Sequence, residues 1–252
     1  TSYRRSLLLA NGYAAHASQA MVAAVLHPAP PPPAPARRPG ACLPHHPESP
    51  RVSTREREIA VTAALASPLV RLLDGVLGTE ECDALIALAR PRLERALTVD
   101  ASGQRQVDER RTSIGMFFER GETPLIARIE DRLAELTSLP VTHGEGLQVL
   151  HYRPGQQYEP HFDWFDPAHP GYAGITRRGG QRVATIVMYL NTPEAGGGTA
   201  FPEAGLTVGA LRGTAVYFAY PDCDPRSLHA GLPVERGEKW IATKWLRECP
   251  FD

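Results

Sequence analysis

At 252 residues, 42% hydrophobic and 22% charged, the chain is long enough to bury one substantial core. Its formal net charge of −1 supplies no basic field with which to hold nucleic acid or an acidic membrane surface. Cys42, Cys82, Cys223 and Cys249 are scattered without a CxxC, which argues against a zinc knuckle or a disulfide framework; a reducing, cytoplasmic setting is expected.

Residues 1–60 read as a largely disordered tail. Arg4 and Arg5 precede Leu7, Leu8 and Leu9, but the apolar run stops at Asn11-Gly12, too short for a signal-peptide core or a bilayer span. A weak helix is expected over 13–26. "HPAPPPPAPARRPGACLPHHPESPR" then follows, too rich in Pro and Ala to bury a core. His45 and His46 within it are poor evidence for a metal site.

A folded domain is expected over 66–252. "PLVRLLDGVL" reads as a strand. Thr79 is expected to cap a helix with Glu80 and Glu81 in its first turn and Cys82, Leu85, Ile86, Ala89 and Leu93 along one face. A second helix begins at Thr123-Pro124, carries the stripe Leu125, Ile126, Ile129, Leu133 and Leu136, and ends before Pro140. Strands follow at 146–152, 157–163, 182–190, 206–208, 213–219, 226–230 and 239–246, separated by Gly-rich turns. The pattern predicts a mainly β fold with flanking helices, an antiparallel sandwich or barrel.

The strand containing "YEPHFDWF" holds His161 and Asp163 two positions apart. Alternation would project both to one face while Phe162 turns away. Such a pair is half a metal site. His143, His151 and His169 suit the missing ligand less well than His229, in the short strand "SLHAGLPV". Two histidines and a carboxylate cap one face of an octahedron, which suits Fe(II) with open positions for co-substrate and dioxygen. Zinc could use the same ligands, so the ligand set alone leaves the metal open.

Only two lysines stand against 25 arginines, a bias expected of GC-rich bacterial coding. Both fall in "KWIATKWL". Alternation puts Lys239 with Ile241, Thr243 and Trp245, and Lys244 with Trp240, Ala242 and Leu246. If the first face lines the barrel, Lys239 carries an ammonium into an apolar interior, where an anion should meet it. The distal carboxylate of 2-oxoglutarate fits.

Together, "LQVLHYRPGQQYEPHFDWF", "RVATIVMYLNTPEAGGGTAFPEAG", "GTAVYF" and "HAGLPVERGEKWIATKWL" resemble the prolyl 4-hydroxylase family of Fe(II)/2-oxoglutarate dioxygenases. The likeness extends to "RTSIGMFF" and the helix from Thr79, and so covers 66–248. It implies a double-stranded β-helix, or jelly roll, with His161, Asp163 and His229 as iron ligands and Lys239 binding the distal carboxylate. Tyr152 and Thr185 would hydrogen-bond the co-substrate. Lys at 239 favours collagen-type and plant-type enzymes over oxygen-sensing relatives, which usually carry Arg there. Asp163 argues against halogenases, which lack that carboxylate.

The implied reaction is hydroxylation of a C–H bond, most readily at C4 of prolyl residues in a peptide or protein, with 2-oxoglutarate converted to succinate and carbon dioxide and ascorbate as a supporting cofactor. The loop 164–182 is expected to close over the peptide. The alternatives are a hydroxylase of a free amino acid or small metabolite, and a non-catalytic metal-binding module.

Overall fold

Strand-period hydrophobicity in the C-terminal half folds as antiparallel sheets in a computed structural model that describes residues 49–95, 97–99, 105–107 and 110–252. The helix expected over 13–26, the Pro-rich run and the His45-His46 pair lie outside these residues. In chain order the strands are β1 (Arg51–Ser53), β2 (Glu58–Ala66), β3 (Leu69–Asp74), β4 (Glu94–Arg95), β5 (Leu97–Val99), β6 (Arg105–Val107), β7 (Ile114–Phe118), β8 (Leu147–Tyr152) and β9 (Tyr158–His161). They continue as β10 (Arg182–Tyr189), β11 (Ala195–Gly196), β12 (Thr199–Phe201), β13 (Leu206–Val208), β14 (Ala215–Ala219), β15 (His229–Gly231), β16 (Val234–Arg236) and β17 (Lys239–Arg247). Helices α1 (Thr79–Ala89) and α2 (Pro124–Thr137) precede β8, and the short α3 (Tyr172–Ile175) interrupts the loop before β10.

A nine-stranded sheet runs β1-β2-β3-β14-β10-β17-β8-β7-β4, and a four-stranded sheet runs β13-β12-β15-β9. The central strands are buried on both faces, and their alternation sorts side chains between two cores. Ala184, Ile186 and Met188 of β10 and Trp240, Ala242 and Leu246 of β17 pack with Leu85, Ile126, Ile129 and Leu133 of the helices. Val187, Tyr189, Ile241, Leu150 and Tyr152 face the other way, meeting Phe201, Val208 and Val234 from the smaller strands. The result is a jelly roll backed by helices, as the family resemblance implies.

Four boundaries differ from expectation. Folded structure begins before residue 66: β1 and β2 extend the large sheet, Ala60 pairing with Asp74 and Ala66 with Leu69. β1 is a three-residue edge strand, and β2 lies between it and β3 with half-buried and exposed side chains alternating along its second half. The α1 cap is Gly78 rather than Thr79, because the Glu81 carboxylate accepts from the Gly78 N–H at 2.8 Å. β9 ends at His161, leaving Asp163 in the bend beyond it. Pro225–Ser227 forms a 3-10 turn, so the strand carrying His229 starts at that residue. At α2, the Thr123 hydroxyl accepts from the Ile126 N–H as the capping pattern requires. Among the described residues no helix is long and apolar enough to cross a membrane.

Candidate metal and co-substrate site

β9 and β15 are antiparallel neighbours, and their register sets His161 directly opposite His229. Side chains directly opposite across an antiparallel pair approach closely; here the imidazole centroids are 4.2 Å apart. Asp163 reaches both from the bend: His161 Nε2 lies 3.7 Å from Oδ1, and His229 Nε2 lies 3.6 Å from Oδ2. One ligand atom from each residue falls within 4.8 Å of the others. The three residues singled out in the sequence are thus brought together. Cross-strand register unites the histidines, while the bend after β9 brings in the aspartate. Phe162 turns outward and is 39% exposed.

The imidazoles are preset as ligands. Nδ1 of His161 lies 2.8 Å from the Glu159 carbonyl, and Nδ1 of His229 lies 3.0 Å from the Ser227 carbonyl. A carbonyl only accepts, so each Nδ1 is the protonated nitrogen and each Nε2 presents a lone pair toward Asp163. Tyr158 stacks on His161 with centroids 3.6 Å apart. Burial, with the neighbouring His229, pushes the His161 pKa down to about 3, so this ring is neutral at pH 7. Burial alone would raise the Asp163 pKa, but the Arg182 guanidinium and the donating Thr185 hydroxyl favour the ionised form, and the carboxyl is held below its ordinary range. An ionised carboxylate and two lone pairs in this arrangement are the donor set of a divalent transition metal with open positions.

The hydroxyl of Thr185, expected to bond the co-substrate, donates to Asp163 Oδ2 at 2.6 Å and lies 3.1 Å from the Tyr220 hydroxyl, which fixes the orientation of the carboxylate. Thr185→Val and Tyr220→Phe keep the packing but break this chain. Each is expected to weaken Fe(II) binding about tenfold or more in anaerobic titration, as loss of ligand-orienting partners does elsewhere. An unchanged iron affinity would leave Asp163 in need of no such support.

Lys239 heads β17 opposite Tyr152 of β8, and its Nζ sits 4.4 Å from the Tyr152 ring centroid. The residue is 1% exposed, and no carboxylate pairs with it among the described residues. Burial alone lowers its pKa to about 8. Lys244, on the opposite face, is equally buried but bonds the Glu130 carboxylate and the Glu145 carbonyl. One lysine is neutralised within the fold; the other keeps a charge available for a ligand. Gly231 borders that charge, for a Cβ built there would stand 3.6 Å from Nζ. Tyr152 lies against the same ammonium.

One buried network escapes the sequence altogether. Glu145 accepts from Arg182 at 2.6 and 2.9 Å and lies 2.8 Å from Arg247. Arg182 also donates to the Asp163 carbonyl at 3.3 Å and lies over the Trp245 ring at 4.2 Å. Arg247 donates to the Gly180 carbonyl, and Gln181 bonds the Phe165 backbone in both directions. The loop expected to move over a peptide is thus tied down at its C-terminal end. His143, set aside as a ligand, is buried with Nδ1 3.2 Å from the Arg247 carbonyl; His151 bonds Glu238 at 2.7 Å.

A jelly roll carrying a two-histidine, one-carboxylate face beside a buried free ammonium defines the oxygenases that use iron and 2-oxoglutarate, and residues 147–247 match the family model of the 2OG-Fe(II) oxygenase superfamily. Curated relatives narrow the assignment. "Probable prolyl 4-hydroxylase 10" of Arabidopsis thaliana is 43% identical over 204 residues, covering 71% of this chain and 69% of the relative. Prolyl 4-hydroxylase 2 of the same plant is 39% identical over 215 residues, covering 74% and 70%. The viral collagen prolyl hydroxylase of Paramecium bursaria Chlorella virus-1, solved with 2OG, superposes with a TM-score of 0.56 at 31% identity, covering 71% of this chain and 95% of that one. The chain belongs to the prolyl 4-hydroxylase family of Fe(II)/2-oxoglutarate-dependent dioxygenases.

Proposed function

We propose that this chain hydroxylates prolyl residues at C4 within a peptide or protein, converting 2-oxoglutarate and dioxygen to succinate and carbon dioxide. The observation that carries the reading is the pairing of the His161–Asp163–His229 face with a buried ammonium at Lys239 that the fold leaves unneutralised. Ascorbate belongs to the same proposal, as the reductant that keeps the iron ferrous.

When bound, iron with 2-oxoglutarate supplies the oxidation of an unactivated C–H bond. The chain's part is placement. His161, Asp163 and His229 present three donors on one side and leave the other open. Thr185 fixes the Asp163 carboxylate, and the two backbone carbonyls fix the imidazole tautomers. Lys239 and Tyr152 would hold the distal carboxylate of 2-oxoglutarate. The inter-sheet core of Val187, Tyr189, Phe218 and Ile241 keeps water from the buried wall.

The deciding experiment is succinate release over a panel of proline-containing peptides, with free proline and other amino acids alongside. Peptide-dependent succinate together with an oxygen-atom mass gain on proline is the expected result. Turnover confined to free amino acids would transfer the activity to small metabolites, and metal binding without succinate from any substrate would leave a binding module.

A further inference from the structure

β10 and β17 pair by backbone as far as Tyr189 opposite Ile241, and Leu190 N–H still reaches the Trp240 carbonyl at 2.9 Å. At the next residue the chain leaves the sheet, yet the edge of β17 is not left bare. The Asn191 carboxamide replaces the missing strand. Its Nδ2 donates to the Glu238 carbonyl and its Oδ1 accepts from the Trp240 N–H, both at 2.7 Å.

Those two backbone groups flank Lys239. In an extended strand successive residues direct their backbone groups to alternate sides, so Glu238 and Trp240 face Asn191 while Lys239 itself faces Tyr152 of β8. The lysine is therefore gripped from both edges at the first residue of a strand, directly after a turn at Gly237 with φ +78°. Strand ends fray, and a terminal residue carried by a glycine turn would otherwise drift. Downstream the stem is confined as well: a Cβ at Gly197 would come within 3.2 Å of Lys239 Cδ. Four rotatable bonds separate the backbone clamp from Nζ, and an error at Cα is passed to the charge.

We propose that Asn191 is a positioning residue for co-substrate binding: by bridging the peptide groups on either side of Lys239 it aims the ammonium at the distal carboxylate. This rests on Lys239 being the 2-oxoglutarate anchor. The competing role is plain capping of a sheet edge, which would affect folding but not ligand affinity.

The test compares 2-oxoglutarate affinity by anaerobic equilibrium dialysis with labelled 2-oxoglutarate and Fe(II) for the wild type, Asn191→Ala, Asn191→Asp, Lys239→Met and the double variant Asn191→Ala/Lys239→Met. Asn191→Asp keeps the acceptor for Trp240 but sets an oxygen against the Glu238 carbonyl, and it provides a second variant if Asn191→Ala does not fold. Each Asn191 variant is expected to raise the 2-oxoglutarate Kd about tenfold or more with the Fe(II) Kd unchanged, since a small misplacement of a binding group is costly. In the Lys239→Met background, Asn191→Ala is expected to add nothing, because a residue acting through Lys239 has nothing left to position. Unchanged 2-oxoglutarate affinity in the folded single variants, or an equal loss with and without Lys239, would overturn the proposal. A wild type that binds no 2-oxoglutarate, or a Lys239→Met variant that binds it normally, would instead overturn the anchor assignment beneath it.

Discussion

His229→Ala is expected to reduce succinate formation to background, with or without peptide, while far-UV circular dichroism stays that of the wild type. Two of the three donors would remain, and His161 and Asp163 alone fix neither the orientation of the open positions nor a tight metal. The imidazole also fills space. It lies 4.5 Å from the Phe218 ring centroid and 5.9 Å from that of Phe201, so its removal opens a cavity against an aromatic cluster. That loss costs about 2 kcal/mol or more, visible as a lowered Tm. β15 itself survives, because its pairing with β9 and β12 is made by backbone. Iron titration should show weakened binding and activity assays none. Wild-type turnover by this variant would remove His229 from the site.

The sequence discloses the ingredients of this site better than their assembly. Alternation in "KWIATKWL" correctly separates Lys239 and Ile241 from Trp240, Ala242 and Leu246, because β17 is paired on both sides and cannot rotate. The α2 stripe is equally legible, since a helix read against one core leaves a periodic trace. The HxD spacing singles out residues that the fold brings together, but not their geometry: Asp163 lies past the end of β9, and the cluster closes through a cross-strand contact between residues far apart in the chain. Thr185, Glu145, Arg182 and Asn191 carry no local signal of their roles. Their partners are chosen by sheet register, and a threonine in an apolar strand reads as an ordinary β-former until Asp163 is placed beside it. β1 is hidden for a related reason: a three-residue edge strand buries too little to impose a pattern.

Lys239→Met should show ligand binding and stability moving in opposite directions. A buried ammonium whose pKa falls from 10.5 to about 8 opposes folding at neutral pH by about 3 kcal/mol. The Tyr152 ring face returns part of this by attracting the cation. Methionine follows the same channel without a charge, so the variant is expected to melt at a higher temperature than the ligand-free wild type. The price is function: losing a desolvated charge partner is worth about 2–5 kcal/mol, a rise in the 2-oxoglutarate Kd of about a hundredfold. The pH dependence has a definite sign. Below pH 8 folded Lys239 is charged and the folding penalty is present in full. Between pH 8 and 10.5 the unfolded chain holds the proton that the folded chain has released, so the wild type gains stability with rising pH relative to the variant, while its affinity for 2-oxoglutarate falls as the ammonium is lost. Tyr152 is the titratable side chain that faces Lys239 across the strand pair, and the variant retains it, so the difference between the two proteins isolates the lysine. Thermal melts and anaerobic binding across this range measure both effects. A Tm that drops in Lys239→Met, or a 2-oxoglutarate affinity indifferent to both the substitution and pH 8, would mean that the buried ammonium is a structural group and that the co-substrate is held elsewhere.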